Sequence, residues 1–239
     1  MSGHSKWSNI KRTKEKTDAQ KGKIFTKIGR EIAVCVKAGG SDPTVNSKLA
    51  DIIQKARQNN MPNDTIMRSI KKAAGELSNI NYEEIFYEGY GPGGSALLVK
   101  CLTDNKNRTA GDVRHIFDKY GNGLGTTNSV GYLFNRLGYI VVDKEKFSDE
   151  DELMVLALDA GADDIKDSET FFEIYTQPAS LQNVVKTLQD AKVEISEFEV
   201  KMVASMLLDL DDETSEKFFR LVDALEELDD VQEVYHNVN

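Results

Sequence analysis

The sequence predicts an α+β protein: an N-terminal three-helix domain followed by two α/β domains, one ferredoxin-like and inserted into the other. Three observations predict it. Apolar residues keep a helical period as far as Ala74, then change to alternation and short apolar runs from Tyr82 onward. Beyond Leu137 the patterns run strand, helix, strand, strand, helix, strand, which is the order of a split βαβ unit. Finally, the last long strand carries apolar residues at odd positions (Val193, Ile195) and then at even ones (Phe198, Val200, Met202, Ala204). Side chains on a strand alternate faces, so this slip requires a bulge or a change of sheet. A change of sheet near Glu197 predicts a discontinuous middle domain. The boundaries are then 1–80 for the helical domain, 81–131 with 199–239 for the middle domain, and 132–198 for the insert.

Each element has its own signal. Residues 1–16 show no period and read as an extended arm. Thr17 and Asp18 offer an N-cap, and Gly39–Gly40 a stop, to a first helix. Between them Ile24, Phe25, Ile28, Ile32, Cys35 and Val36 share one face, about 120° wide at 100° per residue, with Lys23, Lys27, Arg30 and Lys37 opposite. Asp42–Pro43 predicts the start of a second helix with Val45, Leu49, Ile52, Ile53 and Ala56 inward. Asn63–Asp64 starts a third, with Ile66, Met67, Ile70 and Ala74 inward and Arg68, Lys71 and Lys72 outward. Two strands, 82–90 and 95–103, flank the hairpin signal Gly91-Pro92-Gly93-Gly94. A helix over 107–120, the loop Gly121–Gly125 and a strand pair at 130–134 and 137–142 follow. Helices are expected over 149–159, 179–190 and 213–228, and strands over 163–166, 171–175, from 193 and over 230–236.

The net charge of −10 hides an asymmetry. Residues 1–78 hold 16 Lys+Arg against 7 Asp+Glu, a balance of +9, and the remainder holds 14 against 33, a balance of −19. A basic head on an acidic body points to a polyanionic partner, nucleic acid above all. The competing reading is that the two ends attract one another. The candidate contacts are Lys6, Lys11, Arg12, Lys14 and Lys16 of the arm and Lys23, Lys27 and Arg30 of the first helix. Trp7 suits stacking on an exposed base or packing as a lid on the helical domain. Arg108 sits where a helix N-terminus makes an anion-friendly corner, and capping by Asp104 or Asn107 does not need its cation.

Enzymatic chemistry finds no footing. His4, His115 and His236 lie in separate regions without metal-ligand neighbours. There is no G-x-S-x-G, P-loop or kinase signature. Gly121–Gly125 follows a helix, so it is no dinucleotide fingerprint. Gly91–Gly94 reads more simply as a hairpin needing positive φ than as a phosphate cradle. Cys35 and Cys101 fit no metal or redox spacing and read as buried thiols of a reducing cytosol. No apolar run spans a membrane, and no h-region follows the basic start. No cofactor, metal or small-molecule substrate is expected. No helix is marked as a helix-turn-helix recognition helix.

Long stretches resemble the YebC family. SGHSKWSNIKRTKEKTDAQKGKIFTKIGREI, GGSDPTVNSKL and NNMPNDTIMRSIKKAAGE are similar to its first domain. YEGYGPGG, TDNKNRTAGDVRHIF and GNGLGTTNSVGYLF are similar to its middle domain, and LVDALEELDDVQEVYHNV matches its C-terminal hallmark. There are two departures, Ser129-Val130-Gly131-Tyr132 and, within the glycine loop, Thr126-Thr127-Asn128. Many members carry a bulkier residue at 131. The resemblance implies three domains, helical first, and a cytoplasmic, non-enzymatic regulator of gene expression. Many bacterial members are described as probable DNA-binding transcriptional regulators. Others, including a mitochondrial translational activator, bind ribosomes and relieve stalls at sequences such as proline runs. DNA and ribosomal RNA both remain open as the partner at this point.

Overall fold

The computed structural model describes residues 18–75, 81–147, 149–168 and 170–239, with side chains in the first helix from Lys21 onward. The arm over 1–17, including Lys6, Trp7, Lys11, Arg12, Lys14, Lys16 and the Thr17 cap, lies outside them, as does the side chain of Asp18. The chain divides into a unit of 1–131 with 208–239 and a unit of 132–207.

In the first unit, the helical period becomes α1 (Asp18–Gly39), α2 (Ser47–Gln58) and α3 (Asn63–Ala74). Ile28, Ile32 and Val36 of α1 close a core with Leu49, Ala56, Met61, Ile66 and Ile70. Gly40 ends α1: its φ of +85° is left-handed, and its N–H reaches the Val36 carbonyl at 2.8 Å.

Two expectations change here. The cap of α2 is Asn46, whose side chain accepts from the Leu49 N–H at 3.1 Å; Asp42 instead closes a turn onto Thr44. Val45 therefore precedes the helix and is exposed. In α3, Met67 and Ala74 face outward, not inward. The buried stripe is the narrow set Ile66, Ile70 and partly Ala73.

A three-stranded antiparallel sheet follows, in the order β1-β2-β7, from β1 (Glu83–Tyr90), β2 (Ala96–Thr103) and β7 (Val231–His236). Gly93 and Gly94 turn the hairpin with φ of +69° and +77°. Leu97, Val99 and Cys101 pack on α4 (Lys106–Tyr120) and α7 (Asp212–Glu226) through Val113, Phe117, Phe218, Leu221 and Leu225.

The second unit holds β3 (Phe134–Asp143), α5 (Glu150–Asp159), β4 (Ala162–Asp167), β5 (Phe171–Thr176), α6 (Leu181–Asp190) and β6 (Ile195–Ala204). Its sheet order β4-β5-β3-β6, antiparallel throughout, is the ferredoxin-like arrangement. Both helices pack on the face carrying Ile140, Val142, Phe172 and Ile174. On the other face the hydroxyls of Tyr139 and Tyr175 meet the buried Glu173 carboxylate.

Two expectations are corrected in this unit. Residues 130–142 do not form a strand pair: 131–133 make a 3₁₀ turn, and one strand runs from Phe134 to Asp143. Nor does the chain change sheets near Glu197. β6 pairs with β3 from Ile195 to Ala204, with a register shift opposite Val141 and Val142. The slip is a bulge, and it turns Ile195, Phe198 and Val200 onto the same helix-covered core. Past β6 the chain leaves this unit, and Leu208 bridges Val238 in the first.

Candidate nucleic-acid interface

Because Ile28, Ile32 and Val36 face the core, α1 must turn Lys23, Lys27 and Arg30 to another side. They do not point into open solvent. Lys23 pairs with the Glu227 carboxylate. Lys27 donates from Nζ to the Glu226 carbonyl at 3.0 Å. Arg30 donates to the Asp229 carbonyl and, at 2.8 Å, to Asp230 Oδ1. These acceptors lie at the C-terminal end of α7 and the start of β7. A helix leaves its last carbonyls unpaired and partly negative, and the last turn of α7 has no basic residue of its own. The cations of α1 fill that role from about 200 residues away in sequence.

Arg108 meets the same carboxylate from the other side. Its Nη2 donates to Asp230 Oδ2 and to Asp104 Oδ1, both at 2.8 Å. The hydroxyls of Thr109 and Thr103 reach Oδ2 at 2.7 and 3.1 Å. Burial alone would raise the Asp230 carboxyl; the hydrogen bonds from Arg108, Thr109 and Thr103 and the charge of Arg30 outweigh it and hold it below the ordinary range. The cap of α4 is Asn105, accepting from the Arg108 N–H at 3.1 Å, and not Asp104 or Asn107.

A second ionic cluster joins the helices to the sheet. Lys55 of α2 lies 3.0 Å from both Glu31 of α1 and Glu233 of β7. Burial would raise Glu233, but the charges of Lys55 and Lys100 pull it down to about 2. Lys55 is raised in turn: burial opposes its charge, and Glu233 and Glu31 overcome that.

Four predicted contacts, Lys23, Lys27, Arg30 and Arg108, thus converge on residues 226–230. The six arm residues lie outside the described residues. The attraction between the chain's basic and acidic parts is realised within the first unit. Sequence reading also passed over Arg68, Lys71 and Lys72 as site residues. They are exposed on α3, and none forms an ion pair among the described residues. Their signal was present in the i, i+3, i+4 spacing.

Other candidates are occupied or inert. Glu88 accepts N–H groups from Asn128, Val130 and Gly131 at 2.6 to 2.8 Å, so the glycine-loop nest holds the protein's own carboxylate. A Cβ at Gly131 would come within 3.3 Å of that carboxylate. Cys101 is fully buried, which pushes its thiol up to about 12. Among the described residues, no group of three or more His, Cys, Asp or Glu is placed to hold a metal ion, and no helix is long and apolar enough to cross a membrane.

Comparison with known proteins matches residues 5–76 to the TACO1/YebC protein N-terminal domain and residues 82–238 to the TACO1/YebC second and third domain. The chain belongs to the TACO1/YebC family. Similar family members include a probable transcriptional regulatory protein of Acetivibrio thermocellus, 57% identical over 99% of this chain and 98% of that one. Another is a protein of the same description from Thermoanaerobacter pseudethanolicus, 54% identical over 100% and 97%. Among solved structures, the crystal structure of a conserved hypothetical protein from Aquifex aeolicus is 44% identical. It matches with a TM-score of 0.81 over 94% of this chain and 92% of its own.

Proposed function

We propose that this TACO1/YebC protein is a non-enzymatic, cytoplasmic regulator of gene expression that binds nucleic acid, of the DNA-binding transcriptional type. The observation that carries the proposal is full-length similarity to proteins named probable transcriptional regulatory proteins. The balance of +9 over residues 1–78 supports it. Lys and Arg bind a phosphate backbone by releasing its condensed counterions, which needs no catalytic group and no cofactor.

Binding of this kind weakens linearly in log K against log salt, at about 0.9 per phosphate contacted on duplex DNA. The test is a salt titration of the full chain on a DNA duplex. A steep fall in affinity is expected. Absent or salt-insensitive binding contradicts the proposal. Sucrose-gradient fractionation of lysate tests the ribosomal alternative: co-migration with large subunits would move the partner from DNA to ribosomal RNA.

A further inference from the structure

Of the cations in the helical part, Lys23, Lys27 and Arg30 of α1 have acidic or carbonyl partners and Lys55 of α2 sits between two carboxylates. The face of α3 differs. On a wheel of 100° per residue, Ile66, Ile70 and Ala73 centre the buried side. Arg68, Lys71 and Lys72 fall within about 100° of one another on the opposite side. All three are exposed, and the acidic residue of the helix, Asp64, lies in its first turn.

The local geometry presents this face on a rigid support. α2 and α3, 12 residues each, are joined by residues 59–62. Asn60 takes a left-handed φ of 57°. The Met61 N–H bonds back to the Ala56 carbonyl at 2.9 Å and that of Asn60 to Arg57, while the Met61 side chain is buried. α1 packs against both helices. Two helices joined by a four-residue turn, the second with cations on its exposed face, share the connection of a helix-turn-helix. The sequence did not mark it, because the turn carries no glycine and α3 shows no base-reading pattern.

We infer, resting on the nucleic-acid reading above, that α3 is the duplex-contacting helix of this protein, with Arg68, Lys71 and Lys72 seated on the phosphates of B-form DNA. Charge complementarity supplies the occupant: a duplex carries about one phosphate per 1.7 Å of axis, so each cation on one helix face finds an anion. A single-stranded partner fits less well, since α3 has no aromatic residue on which a base could stack. The major groove of B-DNA, about 12 Å wide, admits a helix, and the deep, narrow groove of A-form RNA does not. Contacts made to phosphates fix position without reading sequence, so affinity follows salt rather than base composition.

The experiment is fluorescence anisotropy of the full chain on a mixed-sequence DNA duplex and on an RNA duplex of equal length, over a salt series. The parent is compared with R68Q/K71Q/K72Q, with K71A/K72A as a second variant, and with K23Q/K27Q. Gln and Ala keep helix propensity, and circular dichroism checks the fold. The α3 triple variant is expected to bind DNA roughly tenfold or more weakly, with a salt slope shallower by about 3. K23Q/K27Q should stay within about twofold of the parent, because partnered cations release few counterions.

Parent-like affinity and slope in both α3 variants overturns the inference and leaves the nucleic-acid reading standing. A parent that binds neither duplex in a salt-dependent way removes that reading and the inference with it. Tighter parent binding to RNA than to DNA overturns the assignment to B-form DNA.

Discussion

Two basic helix faces lie in the helical part of this protein, and the structure uses them differently. On α1, Lys23, Lys27 and Arg30 meet Glu227, the Glu226 and Asp229 carbonyls and Asp230. On α3, Arg68, Lys71 and Lys72 face outward with no ion pair among the described residues. Both faces read alike in sequence: cations at helical spacing opposite an apolar stripe. The lesson is that a charge count gives the number of cations, while only tertiary structure shows which of them already have partners.

The comparison can be broken most strongly at Asp230. This buried carboxylate holds Arg30 and the half-exposed Arg108 together, and removing it takes an acceptor from both cations and from two hydroxyls. D230A is expected to destabilise the chain by about 3 kcal/mol, the cost typical of breaking a buried ion pair, read from urea denaturation. A loss within about 0.5 kcal/mol would show that the α1 face is not held there.

Acid should loosen the same junction at its second cluster. Glu233 is held at about 2 against an ordinary 4.5, so it binds its proton more readily in the unfolded chain. A depressed folded value contributes stability that is complete above about 4.5 and lost as pH falls toward 2. Acid titration followed by circular dichroism should show that loss in the parent. K55M, which removes the largest opposing charge, moves the folded value back toward 4.5 and should shrink that loss.

Smaller effects sharpen the contrast. K23Q/K27Q removes exposed or half-exposed partners of a helix C-terminus and should cost about 1 kcal/mol or less in thermal denaturation. R68Q/K71Q/K72Q should leave stability within about 0.5 kcal/mol of the parent, because those side chains form no ion pair among the described residues. A large loss in that variant would mean that α3 packs against something its exposure does not reveal.

Much of this fold was legible from the residues, and the failures have local causes. The α1 core stripe and the strand-helix order of the insert follow from period alone. Asn46 displaced Asp42 as a cap because both are short polar residues near a helix start, and only backbone geometry selects between them. Met67 lies at the edge of the α3 apolar stripe, where helical period alone does not decide burial, and the observed stripe excludes it. The phase slip near Glu197 had two solutions, a bulge and a change of sheet, and the pairing with β3 decides for the bulge. The partners of Lys23, Lys27 and Arg30 were invisible because they lie about 200 residues away. The α3 cations were read as outward, but helical period cannot say whether a distant carboxylate covers them.

Lysine reactivity compares the two faces in a single measurement. Acetylation of the full chain, read by mass spectrometry with and without a DNA duplex, should label Lys71 and Lys72 rapidly and slow sharply when DNA is added. Lys23 and Lys27 should react more slowly, and equally in both conditions. Protection of Lys23 and Lys27 by DNA, with Lys71 and Lys72 unaffected, would contradict the account.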